Sequence, residues 1–318
     1  MARRNRPLTR LVVAALAIAF AALVALVRAL RRSAERARGV PLSPLTAGWR
    51  VGADYPERRG IVSEARSASE RRGGSDDPRD ADGEIAGEMD DVSEYAGPAF
   101  DPDAVAPSVR SFYERTADYR LAYDVRWHRP FRLGAALASA ATSRLRQLNL
   151  PGPGESGPSG DSRVRELDGR FACVDPDADP REGARAWVRT NVAGEAVFVA
   201  IYAHHERDGT TYVNVAVPLP GANLSTVLRP QNLGDGIELT TLDADGDEGL
   251  FLVTPLGALS LPLDQRFRVC PASAGFPGTD PFNDVDGDEA AIVATHEMWL
   301  FGRKFLTIRY AGRENPSE

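Results

Sequence analysis

Residues 196–218, AVFVAIYAHHERDGTTYVNVAVP, carry the reading that decides the fold class. Val197, Val199, Ile201 and Ala203 alternate with Phe198, Ala200, Tyr202 and His204. Successive Cβ atoms of an extended chain point to opposite faces, so a period of two marks a strand. Arg207-Asp208-Gly209 follows, with the Asp-Gly pair a tight hairpin needs, and Thr211–Pro218 resumes the alternation.

Working outward, Ala184–Asn191 reads as a strand before this hairpin. Ile237–Leu242, Gly249–Thr254, Ile292–Leu300 and Lys304–Tyr310 supply at least four more after it. Upstream, Pro107 suits a first helical turn, and Ser108–Arg115 places Val109, Phe112 and Tyr113 on one side of a short helix. Tyr119–Trp127 alternates again. Phe131–Leu148 is helical in pattern, with Phe131, Leu133, Leu137, Ala141, Leu145 and Leu148 near a 3.6 period and Asn149 and Pro151 closing it. Pro151–Asp161 (PGPGESGPSGD) is a loop inside the domain. The expectation is an α+β domain over residues 105–311, two helices followed by a largely antiparallel sheet. No Gly-rich phosphate loop joins a strand to a helix, which excludes that class of nucleotide site.

The remainder divides by composition. Residues 1–10 are basic. Leu11–Val27 is a run of 17 uncharged residues that Leu30 extends past Arg28. At 1.5 Å per residue about 20 residues cross a bilayer core, so residues 11–30 are read as a transmembrane helix, a single-pass anchor. Arg28, Arg31 and Arg32 stand where a signal peptidase needs small residues, which argues against a cleaved leader. Residues 31–104 read as a mostly disordered linker; from Glu57 to Asp91 only Ile61, Val62, Ile85 and Met89 are large and apolar. Residues 312–318 form a short tail. Four arginines precede the apolar run and five follow it closely, so charge barely orients the chain. The sequon Asn223-Leu224-Ser225 and the two cysteines, Cys173 and Cys270, tip the domain slightly to the outside of the cell membrane.

The charge balance is lopsided. Of 38 basic and 45 acidic residues, nine Arg and one Glu fall within residues 1–40, so 29 basic face 44 acidic beyond it. Lys304 is the one lysine. Such a surface repels nucleic acid and anionic lipid, because phosphates are bound by releasing counterions to Lys and Arg. It is also the surface of a halophilic protein, soluble where salt screens self-repulsion.

Several strings resemble the soluble C-terminal region of the YndJ-like membrane proteins, an uncharacterised bacterial family. They are Phe112-Tyr113-Glu114-Arg115-Thr116, Gln147-Leu148-Asn149-Leu150-Pro151 and Arg185-Ala186-Trp187-Val188-Arg189-Thr190. Further on come Tyr212-Val213-Asn214, Pro218-Leu219-Pro220, Asn223-Leu224, Asp247-Glu248-Gly249 and Leu261-Pro262-Leu263. The most specific is His296-Glu297-Met298-Trp299-Leu300-Phe301-Gly302, followed by Phe305-Leu306-Thr307. The resemblance implies membrane association and carries no activity. The chain departs from it in having one hydrophobic helix where those proteins have many.

Candidate chemistry is sparse. Asp243, Asp245 and Asp247, and again Asp284, Asp286 and Asp288, alternate as calcium ligands do, making Ca²⁺ the one ion the sequence suggests. Both copies lack the Gly at position 6 and the Glu at position 12 of an EF-hand loop, and acidic turns on a charged surface explain them more simply. His205, His296 and Glu297 are the weak catalytic candidates, able to meet only across a sheet; position 300 is Leu, which breaks a zinc-hydrolase helix motif. Arg189, Tyr212 and Asn214 are polar groups at strand positions that would suit a ligand pocket. The leading functional reading is a membrane-anchored, non-enzymatic module that binds a protein partner or small ligand at the membrane surface. A hydrolase using His205, His296 and Glu297 and a carrier enclosing an apolar ligand are the alternatives.

Overall fold

The computed structural model describes residues 6–62, 86–153, 164–242, 245–277 and 290–315, apart from the side chains of residues 6–17, 138, 140 and 141. In chain order its helices are α1 (Arg6–Arg36), α2 (Tyr55–Arg58), α3 (Pro107–Glu114) and α4 (Arg132–Leu145). The strands are β1 (Tyr119–Trp127), β2 (Arg165–Cys173), β3 (Glu182–Thr190), β4 (Ala196–Arg207), β5 (Thr210–Leu219), β6 (Ala222–Leu233), β7 (Gly236–Thr240), β8 (Gly249–Thr254), β9 (Gly257–Ser260), β10 (Leu263–Pro271), β11 (Ile292–Leu300) and β12 (Arg303–Glu314).

Ten of these strands close into an antiparallel barrel. The ring runs β1-β2-β3-β4-β5-β6-β7-β10-β11-β12, and β12 returns to β1 from Tyr119↔Glu314 to Trp127↔Leu306. The hairpin β8–β9 branches from the ring along the first half of β6, whose second half pairs with β7. The hairpin at the centre of the sequence argument forms as read, with Asp208 at φ 52 and Gly209 at φ 76 joining β4 to β5. Closure gives every ring strand a partner on both sides, most narrowly between β1 and β2, which meet over Leu121–Tyr123, and so removes most of the edge an open sheet must otherwise cover.

This corrects the α+β expectation of two helices followed by a sheet. α3 and α4 exist close to where periodicity puts them, but β1 lies between them and both are accessories to a closed barrel. The transmembrane, single-pass reading is corrected as well. The run Leu11–Val27 lies within α1, and among the described residues no helix is long and apolar enough to cross a membrane. The side chains of residues 11–17, the first part of that run, lie outside the described residues.

The barrel has apolar packing on both sides of β3, β4 and β5. Inside, Trp187, Ala200, Tyr202, Val213 and Val217 join Leu121, Tyr123, Leu239, Val269, Ala294 and Ile308. Outside, Ala186, Val188, Val199, Ile201 and Ala216 are covered by Leu45, Ala47, Val51, Tyr55 and Ile61. Residues 86–118 enter the interior at one end, where Met89, Val92, Tyr95, Phe112 and Tyr113 are buried. They are fixed there by Ala106 N–H to Asp235 O (2.8 Å) and by Asn232 Nδ2 to Asp101 O (2.9 Å). The linker expectation is therefore corrected for residues 37–62 and 86–104, which are packed. A few large side chains suffice because a preformed barrel wall supplies the rest of each contact. Residues 63–85 of that linker lie outside the described residues.

Candidate functional site

The alternation of β3 sends Arg185, Trp187 and Arg189 into the barrel, opposite Tyr202, Ala200 and Phe198 of β4. Arg189 is the centre of what results. Its guanidinium stacks 3.4 Å over the Trp187 ring, with Phe198 at 5.8 Å and Tyr310 of β12 at 6.0 Å. The buried Tyr202 and Tyr310 hydroxyls feel its positive charge, which opposes the upward push of burial on both. Phe171 stacks on the far side of the same tryptophan at 5.1 Å, completing a layered aromatic wall. Gly169 faces this wall; a Cβ there would lie 2.6 Å from Trp187 Nε1.

The counter-charge is incomplete. Among the described residues Glu88 is the carboxylate paired with Arg189, 3.9 Å from Nη2 and beyond hydrogen-bond range. Burial pushes the Glu88 carboxyl up to about 7, against the opposing pull of Arg189 and Arg185. The other nearby carboxylate, Asp90, is held by Arg185 at 2.5 Å. Among the described residues, four buried polar atoms of this region have no hydrogen-bond partner: Glu88 Oε1, Tyr113 Oη, Trp187 Nε1 and Arg189 Nε. Burial likewise raises Tyr202 and Tyr113 well above the ordinary phenol value, so both are neutral hydroxyls. His296 of β11 lies inside too, its Nε2 3.0 Å from Gln265 Oε1. Burial first, then the charge of Arg189, pushes it down to about 4, so it is a neutral ring.

The other residues singled out in the sequence lie elsewhere. Tyr212 and Asn214 share the outer face of β5, across the sheet from Arg189, and pack with His205. His205 Nδ1 is 3.0 Å from Asn214 Oδ1 and its Nε2 is 2.9 Å from Asp247 Oδ2. Asn214 Nδ2 donates to Pro41 O, which fixes the amide so that both imidazole nitrogens face oxygen acceptors. Arg207 also donates to Asp247 and to Gly39 O. The cluster thus ties the chain at residues 39–41 to the barrel wall.

His205, His296 and Glu297 are not brought together. His205 is outside β4, His296 is inside, and Glu297 is outside β11 between Arg266 and Lys304. Burial pushes the Glu297 carboxyl up, but hydrogen bonds from Lys304 and Arg266 outweigh it and hold the group below its ordinary value. Of the calcium-like residues, Asp245 pairs with Arg229 and Asp247 is occupied by His205 and Arg207. Asp243, Asp284, Asp286 and Asp288 lie outside the described residues. Among the described residues no group of three or more His, Cys, Asp or Glu could hold a metal ion. Glu88, Trp187 and Tyr202 were not singled out as site residues. Only the resemblance string Arg185–Thr190 drew the tryptophan and both arginines together.

The chain matches no family model and no solved structure. It is 29% identical over 276 residues to the uncharacterised membrane protein YndJ of Bacillus subtilis (strain 168). That match covers 84% of this chain and 46% of YndJ, so the chain spans about half the length of that relative. The YndJ-like resemblance carried by the strings from Phe112 to Thr307 is borne out.

Proposed function

We propose that the barrel binds a small anionic molecule at Arg189, in a chain associated with a membrane. The observation that carries the reading is a buried guanidinium with Nε unpartnered and no carboxylate within hydrogen-bond reach. Arginine stays charged at any physiological pH, and leaving a buried charged donor unpaired costs upward of about 1–3 kcal/mol. A carboxylate or phosphate received by the planar fork would remove that cost. Trp187 Nε1, Tyr113 Oη and Glu88 Oε1 would take the ligand's remaining polar groups. An apolar cargo suits the interior less well, since Met89, Val92, Tyr95, Phe112 and Tyr113 already pack against its apolar side chains. The membrane placement is supported by the likeness to YndJ, a membrane protein.

The test is a thermal-shift titration of the full chain with small mono- and dicarboxylates and inorganic phosphate. Arg189→Lys keeps the charge and loses the fork. At least one anion is expected to raise the Tm of the parent chain and to have its apparent Kd weakened about tenfold or more by Arg189→Lys. Equal shifts in both chains, or none across the series, would overturn the proposal.

A further inference from the structure

In an antiparallel meander, alternate connections lie at the same end of the barrel. The connections β1–β2, β3–β4, β5–β6, β8–β9 and β11–β12 therefore share one end. The opposite end is the one that residues 86–118 occupy, beside the β6–β7 turn. Large apolar side chains stand in water at the first end: Trp49, Leu133, Leu137, Val192, Leu256 and Phe301, between 69% and 100% exposed. Leu133 and Leu137 belong to α4, inside the β1–β2 connection. Trp49 sits here because Ala47 N–H bonds Leu219 O and Val51 N–H bonds Leu145 O. Scattered surface leucines are ordinary, but six large apolar groups at one end of a barrel and outside its core call for a partner.

The charge there identifies the partner. Arg129, Arg132, Arg144, Arg146 and Arg303 are exposed among the same connections. Among the described residues, Glu195 in the β3–β4 connection and Glu166 at the start of β2 are the exposed carboxylates set against these five arginines. This is the reverse of the acidic balance of the sequence beyond residue 40. An apolar surface with a rim of arginines and an exposed tryptophan is what a bilayer interface with anionic headgroups receives. α1 agrees in direction. Arg36 donates to Glu248 O and Ser33 to Ser260 O, which lies beside Phe251, so toward its N-terminus α1 advances along β8 to the β8–β9 turn. Its exposed Ile18, Phe20 and Leu23 follow on that side.

We infer that this end of the barrel docks on an anionic phospholipid surface, with the arginines at the headgroups and Trp49 at the interface. The inference rests on the membrane placement proposed above and adds the face that makes contact.

Trp49 is its own reporter. The full chain is mixed with vesicles of phosphatidylcholine and phosphatidylglycerol carrying brominated acyl chains, beside pure phosphatidylcholine vesicles. Expected is a bromine-quenched emission component on the anionic vesicles that disappears in Trp49→Phe and falls at least twofold when Leu133 and Leu137 are both replaced by Gln. Those leucines are solvent-exposed, so the double variant folds. A chain that sediments with vesicles while Trp49 stays unquenched overturns this face, leaves the membrane placement standing and assigns the patch to a protein. Equal quenching on neutral vesicles overturns the anionic commitment. A chain left in the supernatant with every vesicle overturns the placement and this inference together.

Discussion

At the scale of single residues, two buried groups give the interior opposite pH responses. Glu88 has its carboxyl raised from 4.5 to about 7, so the fold favours its neutral form. That contribution is complete below about pH 4.5 and is lost as pH rises through about 7, a difference of roughly 3 kcal/mol. Glu88→Gln is accordingly expected to be more stable than the parent at pH 8 and similar to it at pH 4.5, by urea denaturation. His296 is depressed from 6.5 to about 4, so its contribution is present above 6.5 and lost as pH falls through about 4. His296→Gln, which keeps an amide near Gln265, should flatten the acid side of the stability curve; an unchanged acid limb would count against burial of that ring. The strand that carries Arg189 is legible from its alternation, and the structure turns that side chain to the inner face of the barrel. Tyr212 and Asn214 were grouped with it because one sequence gives the alternation within a strand but not which face of one matches which face of the next. Glu88 was invisible, standing in a stretch whose composition reads as linker.

At the scale of elements, strands with unbroken alternation were legible and those interrupted by polar residues were not. β1, β4, β5, β8 and β11 lie close to where period two puts them. β10 departs from that rule: Arg266 and Arg268 alternate with Phe267 and Val269, the period of a strand with one face outward, and the pattern was open to be read. β6 was missed because Asn223, Pro230 and Asn232 interrupt it, although both asparagines have a structural reason to be there. Asn223 is wholly buried and donates to Ser43 O and Leu45 O, fastening residues 43–45 to the wall. The sequon is therefore sealed, and a chain expressed in a glycosylating host should show no glycan at Asn223 by peptide mass spectrometry. Gln147 performs the same office beyond α4. Its Nε2 donates to Val199 O and Pro218 O while its Oε1 accepts from Val199 N–H. Leu148 N–H also donates to Oε1, so Gln147→Leu strands four backbone groups and is expected to cost about 2–4 kcal/mol by denaturant titration.

At the scale of the whole molecule, closure was the least legible feature. Pairing Tyr119 with Glu314 joins positions nearly 200 residues apart, and nothing local in either strand announces the other. Net charge was equally misleading, because it averages an acidic chain over a basic barrel end. Closure is what gives Arg189 its meaning. On an open sheet it would snorkel to water; inside a ring of ten strands it is stacked on Trp187 with Nε unpartnered.

Native mass spectrometry of the full chain, gently purified and compared with Arg189→Lys, tests that claim most directly. The account predicts a small anionic adduct of fixed mass on the parent chain, released on denaturation and depleted in the variant. The same adduct at equal occupancy on both chains would place the ligand away from Arg189 and contradict it.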